Sequence, residues 1–359
     1  LDQPQDLFLP MSNGFGTIVP KHVYEGTDIL ENPANNNPVV AGPYMLGEHA
    51  RGSHITLVRN PEWAGEETYW DRIIFRIIRE EDGAVTALRT GEIDLIPAEP
   101  AIGPRDVAAF RDDPDFQVVE TVSANGEQDT IMFNTLTPPL DDRQVRQAIA
   151  FAIDRQAIID AIFVGTRKVS RGHVSHIGVN AKFDTEDFLA GYPFDPDSAR
   201  KLLDEAGYPE GDDGVRFTLR MTVPEEFPAP ELQDAIIGFL KDVGIQVEGS
   251  VADFTTQWSR VFEWTEDNPW QGFNMTVMPG MWTGSGNLKS YYHTDRYSPG
   301  TLWSNAVGYR TAEMDALIDT VLAAAGPEQV ETMTAIQRQL ALDLPTFPLT
   351  TGILYQAGI

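Results

Sequence analysis

The clearest hydrophobic periodicity in this chain lies in the stretch Phe133–Gly165. Four apolar residues recur there at the spacing i, i+3, i+4 and i+7: Val145, Ala148, Ile149 and Ala152. This spacing predicts a helix that buries one face. Asp141 or Asp142 can accept hydrogen bonds from its first turn, and Asp154 can do the same for a second helix that ends at Gly165. On its own, the pattern is typical of any α/β domain.

Before this stretch, the pattern alternates between strands and helices. The alternating run after Tyr44 predicts a β-hairpin, and Asp71–Arg79 is a β-branched run typical of a central strand. A short helix that stops at Gly91 and a strand at Ile93–Ile96 follow, so we expect a βαβ unit with a right-handed crossover. The other elements expected here are a short helix or turn at Pro20–Gly26, a helix at Pro104–Arg111, and strands at Phe116–Val122 and Thr130–Asn134.

After Gly165 the pattern predicts a second α/β unit and a helical end. The expected order is a helix within Asp195–Gly207, a strand at Val215–Val223, a helix at Glu231–Val243, a strand at Ile245–Val251, and helices at Tyr309–Ala325 and Glu328–Asp343. The segment up to Pro196 and residues 254–303 are expected to be irregular. The second of these carries five of the seven tryptophans.

Composition narrows the class of protein. A chain of 359 residues with 42% hydrophobic residues can bury a sizeable core and is expected to form more than one lobe. A net charge of −28 opposes binding to nucleic acid or to an anionic membrane, since both require clustered Lys and Arg. The absence of cysteine excludes thiolate metal sites and cysteine nucleophiles, and it suits a periplasmic or extracellular protein. No stretch reaches the roughly 18 apolar residues of a membrane span.

Eight motifs, in one order along the chain, carry a resemblance to a protein family. They are VAGPYML at Val40–Leu46, RNPEW at Arg59–Trp63, DRIIFRII with ALRTGEIDLI within Asp71–Ile96, FNT with PPLDDRQVRQAIAFAIDRQAIID within Phe133–Asp160, DPDSARKLLDEAGYPEG at Asp195–Gly211, FLKDVGIQVE at Phe239–Glu248, GYRTAEMDALID at Gly308–Asp319 and LPTFPL at Leu344–Leu349. The series resembles the family 5 extracellular solute-binding proteins of ABC transporters, the dipeptide, oligopeptide and nickel binding group. Family members are normally longer, so we expect this chain to be an incomplete record of the protein at its N-terminus, without the family's small extra domain.

The resemblance implies an α/β fold of the periplasmic-binding-protein type (type II, cluster C-like), with two lobes, hinge strands and an interlobe cleft. Residues 1–133 would be part of lobe one, residues 134–344 lobe two, and residues 345–359 a return toward lobe one. The Phe133-Asn134 end of the first stretch is expected near the cleft. The implied function is capture of a short peptide or an oligosaccharide by hinge closure and delivery to ABC permease subunits. The implied protein is a monomer without a cofactor, periplasmic or extracellular, either free or lipid-anchored to the cell surface.

The candidate ligand contacts centre on the loop around Trp282. Family members commonly carry an Asp after a Trp near this point, which would bind the α-amino group of a peptide. Here no carboxylate follows Trp282 before Asp295, and a buried ammonium without a counter-charge is costly, so the loop favours neutral polyhydroxylated or amide ligands. The ligand-binding candidates are Trp282, Thr283, Gly284, Asn287, Tyr291, Asn134 and Asn13. Core or interface packing is the interpretation for Trp258, Trp264, Trp270 and Trp303, and the alternative for Trp282.

Other chemistries find weaker support in the spacing of residues. His173 and His176 lie three apart and could share a metal, but no third ligand is near them in the sequence, so no metal site is predicted. The segment Gly284–Ser290 lacks the GxxxxGK[ST] spacing of a phosphate-binding loop. No pair of carboxylates can be shown to converge, and no catalytic residue is predicted. A hydrolase that acts on a bound sugar or peptide is the alternative to a receptor.

Overall fold

The computed structural model describes residues 19–78, 81–97, 102–121, 127–226, 228–282 and 285–359. Its described residues fall into two compact units, a larger one at Glu120–Leu354 and a smaller one made of residues 19–119 with Tyr355–Ile359. The predicted lobe borders are at 133/134 and 344/345. Strands that lie before, between and after these borders in the sequence belong to one sheet of the larger unit. The assignment of lobes stays a prediction.

The elements follow in chain order. The helices are α1 (Lys21–Tyr24), α2 (Glu81–Arg89), α3 (Pro104–Arg111), α4 (Arg143–Ala152), α5 (Arg155–Ile162), α6 (Pro196–Glu205), α7 (Ala229–Lys241), α8 (Phe254–Phe262), α9 (Ser285–Tyr292), α10 (Ala312–Ala323) and α11 (Gly326–Asp343). The strands are β1 (Tyr44–Ala50), β2 (His54–Arg59), β3 (Arg72–Arg76), β4 (Leu95–Ile96), β5 (Gln117–Thr121), β6 (Glu127–Phe133), β7 (Lys168–Val169), β8 (Phe217–Pro224), β9 (Ile245–Ala252), β10 (Met275–Trp282), β11 (Thr346–Thr351) and β12 (Leu354–Gly358).

The larger unit is built on a six-stranded sheet in the order β7-β11-β6-β10-β8-β9. Strand β8 runs parallel to β9 and β10, whereas β6 runs antiparallel to β10 and β11. Strands β6 and β10 contribute residues to two separate cores, one with α4 to α7 and the other with α8 to α11. Successive side chains of a strand point to opposite faces of the sheet. The two cores therefore lie on opposite faces, and helices cover both. The predicted second α/β unit is confirmed as β8, α7 and β9, with the two strands parallel.

The predicted helix pair is also confirmed. The carboxylate of Asp142 accepts a hydrogen bond from the amide of Gln144 at the start of α4, and Asp154 accepts from Ala157 at the start of α5. Both bonds satisfy amides that have no partner inside the helix. Gly165 follows α5 at φ 74°, in the left-handed region that glycine adopts without steric cost.

The smaller unit corrects two predictions. Its strands β1, β2 and β3 form an antiparallel sheet in that order, so β3 is an edge strand and not the predicted central strand. Strand β4 belongs to a different sheet, of order β4-β12-β5, so β3, α2 and β4 do not form a βαβ unit. Pairing with β2 alone places β3 at the edge of the sheet despite its β-branched residues. Ile74 and Phe75 of this strand are therefore about half exposed.

Residues 254–303 are not irregular, which corrects a further prediction. They contain α8, the sheet strand β10 and α9. The strand carries Pro279 and Gly280, and its register with β6 shifts between Met278 and Met281. Proline and glycine are typical of bulges in strands, and here they conceal the strand pattern in the sequence.

Candidate functional site

One edge of the six-stranded sheet collects the ends of several strands. The carboxyl ends of β8, β10 and β11 meet there with the amino end of β6, because Trp282 pairs with Glu127 and Thr351 pairs with Gln128. In the sequence, the borders of the larger unit, Glu120 and Leu354, lie seven residues before β6 and three residues after β11. In sheets with helices on both faces, ligands bind outside the carboxyl ends of the parallel strands. This edge is therefore the candidate site of the larger unit.

A groove of about 250 Å³ opens beside this edge, between α8, the carboxyl end of β8 and the middle of β10. Its lining consists of Pro224, Glu226, Phe254, Gln257, Trp258, Val261, Thr276, Val277, Met278 and Pro279. The polar floor is internally paired, since Gln257 Nε2 donates to Thr276 Oγ1 over 2.8 Å. Of the described residues that line the groove, Glu226 alone is charged, and it is exposed. The groove is thus an apolar slot with one carboxylate in its lining.

Local sequence explains why α8 presents an apolar wall. Asp253 caps the helix, because its carboxylate accepts hydrogen bonds from the amide and the hydroxyl of Thr256 at 3.1 and 2.6 Å. The same hydrogen bonds lower the pKa of Asp253. Phe254, Trp258 and Val261 follow at i, i+4 and i+7, a spacing that places side chains on one helical face. That face forms the wall of the groove.

A buried polar cluster lies on the other strands of this edge. Gln128 Nε2 donates to Ser170 Oγ over 3.1 Å and to the carbonyl of Gly172 over 3.0 Å, and Ser170 Oγ lies 3.0 Å from Thr351 Oγ1. These bonds join β6, the segment after β7, and β11. Buried polar groups that are paired in this way fix strand ends in one arrangement.

An ion pair lies beside that cluster. The carboxylate of Asp129 is fully buried, lies 3.1 Å from the guanidinium of Arg167, and accepts a hydrogen bond from the hydroxyl of Thr350. The guanidinium of Arg167 also lies 4.7 Å from the ring centre of Phe163. A buried carboxylate requires such partners, because an unpaired charge would carry a large desolvation cost.

The predicted ligand residues fall in three places. The backbone of Trp282 lies at the strand-end edge, paired with Glu127, whereas Thr283, Gly284 and Asn13 lie outside the described residues. Asn287 is half-buried and Tyr291 is buried one helical turn later on α9. Burial raises the pKa of the Tyr291 hydroxyl.

The structure does not bring Asn134 to Trp282. Asn134 follows the carboxyl end of β6, seven residues beyond Glu127, which is a distance of about 23 Å at roughly 3.3 Å per residue. Its side-chain amide donates to the carbonyl of Phe273 over 3.1 Å and accepts from the amide of Leu136 over 3.2 Å. Asn134 therefore holds the fold at the opposite edge of the sheet.

The tryptophans divide between core and groove. Trp264 and Trp270 are buried in the second core, as predicted, and Trp270 Nε1 donates to the carbonyl of Ala306 over 2.8 Å. Trp258 packs against the same core and also lines the groove, and Trp303 is 40% exposed beside it. Sequence reasoning missed the groove, although the i, i+4, i+7 spacing after Asp253 is a signal that could have revealed its wall.

His173 has a structural environment. Its Nε2 donates to the carbonyl of Thr346 over 2.9 Å, and burial lowers its pKa to about 4. Within the described ranges, no three His, Asp or Glu side chains are grouped so that they could hold a metal ion. Among the helices that the structure describes, none has the length and hydrophobicity of a membrane span.

Residues 1–303 match the sequence model described as bacterial extracellular solute-binding proteins, family 5 Middle. The chain belongs to this family. Its resemblance to the family 5 solute-binding proteins is thereby confirmed.

Individual relatives agree with this membership. The heme-binding protein A of Haemophilus influenzae is 25% identical over 82% of the chain and 51% of its own length, and the dipeptide-binding protein of Escherichia coli is 25% identical over 82% of the chain and 52% of its own length. The chain thus spans about half the length of these relatives. The periplasmic oligopeptide-binding protein of a Thermotoga maritima ABC transporter matches 99% of the chain and 70% of its own, with a TM-score of 0.82 and 22% identity. This likeness confirms the predicted fold class, an α/β fold of the type II periplasmic binding proteins.

Proposed function

We propose that this protein is the solute receptor of an ABC importer and that it captures a short peptide. The observation that carries the proposal is the apolar groove at the strand-end edge, in a chain of the family 5 solute-binding proteins. A groove of about 250 Å³ is smaller than the roughly 300–1,000 Å³ of sites that enclose a whole drug-sized ligand. It suits one side chain of a longer ligand.

Peptide is favoured over oligosaccharide by the chemistry of this lining. The described wall is made of Phe254, Trp258, Val261 and Met278, which offer apolar contact and no hydrogen bonds to sugar hydroxyls. The polar pair Gln257 and Thr276 bond each other. Two of the three relatives named above point the same way, since one is a dipeptide-binding and another an oligopeptide-binding protein.

The proposed mechanism is binding followed by closure, without chemical conversion of the ligand. The proposal is supported by the borders of the larger unit, which lie close in sequence to the neighbouring strands β6 and β11, because a hinge consists of a few residues at the ends of such elements. In this proposal, two lobes close on the peptide, and the closed monomer delivers it to the permease subunits. The protein would act in the periplasm or outside the cell, either free or lipid-anchored.

Residues of the Trp282 loop remain part of the proposal. Trp282 lies at the end of β10, four residues beyond Met278 of the groove, and Asn287 follows on α9. We propose that Trp282, Thr283, Gly284 and Asn287 contact the peptide beyond the groove.

Calorimetry on the full-length receptor tests this function. The ligands are a set of di-, tri- and longer peptides and a matched set of oligosaccharides, with X-ray scattering to measure compaction on binding. The expected result is binding of peptides, with compaction, and loss of at least tenfold in affinity for Trp258→Ala. Phe194→Ala is the control, because Phe194 is an exposed aromatic residue outside the groove. Binding of oligosaccharides alone, or of neither class, would refute the proposal, and release of a cleaved ligand would favour a hydrolase.

A further inference from the structure

Trp258 in the wall of the groove packs against other aromatic rings of α8. Its ring stacks on Phe262 with centres 4.7 Å apart at 17°, and Phe254 lies 5.1 Å away. Its Nε1 is buried and finds no hydrogen-bond partner among the described residues. Packing alone therefore sets the position of this ring.

Trp303 completes that packing, although it does not line the groove. Its ring centre lies 4.6 Å from Trp258 and 6.0 Å from Phe262, tilted by 51° and 47°. Trp258, Phe262 and Trp303 thus form a cluster of three mutually adjacent rings, one of which comes from a distant part of the sequence. Tilted ring pairs at these distances attract one another beyond simple burial.

The backbone of Trp303 adopts an unfavourable conformation. Its φ is 61°, in the left-handed region that favours glycine. Such a conformation persists only where the surroundings impose it, and it often accompanies a functional requirement. Here the surroundings are well anchored, because Asn305 two residues later donates from its amide to the carbonyl of Arg296 over 2.8 Å and from its side chain to the carbonyl of Tyr309 over 2.7 Å.

The side chain of Trp303 is partly exposed to solvent. Trp303 is 40% exposed and the neighbouring Leu302 is 47% exposed, so neither residue is a core anchor. The ring of Trp303 contacts Trp258 of the groove wall and Phe262, the core residue on which Trp258 stacks.

We propose that Trp303 is a positioning residue that fixes Trp258 and thereby sets the largest apolar side chain that the groove accepts. This inference rests on the proposed function of peptide capture. Without the Trp303 ring, Trp258 can rotate away from Met278 and Pro279, and the groove widens. Binding of larger side chains then improves and binding of smaller ones weakens.

The first experiment measures selectivity in the full-length receptor. Calorimetry compares peptides of one length that carry Ala, Leu or Trp at each position in turn. For Trp303→Gly, which also relieves the backbone conformation, we expect the ratio of affinities for Trp over Leu at one position to rise about tenfold. Trp303→Phe keeps a ring and is expected to stay within a factor of about three of the wild type. Leu302→Gly is the control for loss of an exposed apolar side chain in the same loop.

The second experiment needs no ligand. In a receptor labelled with ¹⁵N at the indole nitrogens, Trp258→Phe identifies the signal of Trp258 Nε1–H, and its exchange with solvent is measured. We expect this exchange to quicken at least tenfold in Trp303→Gly and to change little in Leu302→Gly. If Trp303→Gly does not fold, Trp303→Leu replaces it in both experiments.

The outcomes separate the two proposals. Unchanged selectivity and unchanged indole exchange in a folded Trp303 variant that still binds peptides would overturn the positioning role and leave the receptor function intact. A wild type that binds none of the peptides would overturn the receptor function and, with it, the role of Trp303 in selectivity. An equal loss of affinity for all side chains would likewise refute a role in size selection.

Discussion

Arg146 Nε donates to the backbone carbonyl of Leu344 over 2.9 Å, although the two residues are 198 positions apart in the sequence. Leu344 ends α11 with a left-handed φ of 44° and is completely buried. The same guanidinium donates to the carbonyls of Leu140, Asp141 and Asp343. A single side chain thus satisfies carbonyls at the start of α4 and at the end of α11.

We expect Arg146→Lys to lower the free energy of unfolding by about 3 kcal/mol. An ammonium group lacks the planar fork that reaches all these carbonyls, so buried acceptors lose their partners. Urea unfolding followed by circular dichroism measures the change. Arg143→Lys is the control, because Arg143 is half exposed and pairs only with Asp343 in the described structure, where an effect below about 1 kcal/mol is expected. Equal effects of the two variants would contradict the role of Arg146.

The buried imidazole of His173 makes stability depend on pH. Its pKa in the folded state is about 4, below the ordinary value of 6.5, so the unfolded chain binds the proton more readily. The contribution of His173 to the free energy of unfolding is then fully present above pH 6.5 and is lost as the pH falls toward 4. The loss is about 2 kcal/mol at pH 5. Unfolding curves of the wild type and of His173→Gln between pH 4 and 8 measure it, and the variant should show a shallower slope. His49→Gln, at an exposed position, is the control, and a matching slope in all three proteins would reject the assignment.

Val164 has a backbone conformation that its side chain disfavours. It lies at φ 50° directly before Gly165, and a β-branched residue is rare in this region. Because its side chain is 48% exposed, little packing is lost by substitution. We expect Val164→Asn to raise the free energy of unfolding by about 0.5–1 kcal/mol, since Asn tolerates the left-handed region. Thermal unfolding measures the gain, with Val119→Asn as a control at an exposed strand position; destabilisation by Val164→Asn would show that the valine packs productively.

Glu226 supplies the groove with a carboxylate that the Trp282 loop lacks. In the proposed receptor it attracts the ammonium group of a peptide. We expect Glu226→Gln to weaken binding of peptides with a free amino terminus by up to roughly fivefold, the usual range for an exposed ion pair. Peptides with an acetylated amino terminus should bind both proteins equally, and calorimetry at low salt compares the two sets. Equal weakening for both peptide sets would mean that Glu226 acts through packing or not at all.

The sequence predicted those parts of the fold that depend on local chemistry. Caps such as Asp142 and Asp154 and the stop at Gly165 lie where the helices begin and end, because satisfying terminal amides involves neighbours only. The βαβ unit β8-α7-β9 was also readable, since its strands and helix are adjacent in the chain.

The parts that were missed depend on distant partners. The role of β3 as an edge strand is set by its pairing, which a β-branched run does not reveal. The strand β10 is interrupted by Pro279 and Gly280 and exists because β6 and β8 flank it. The groove requires Pro224, Trp258 and Met278 from three elements to meet, and no spacing in the sequence indicates that meeting.

The amide of Gly352, just after β11, donates to the carbonyl of Glu127, the first residue of β6, over 3.0 Å. Residues 127–352 therefore begin and end next to each other in space. A segment whose two ends are adjacent can be excised, inserted into another protein or circularly permuted with only a short linker between those ends. The larger unit is thus a natural module for engineering, independent of what the rest of the chain does.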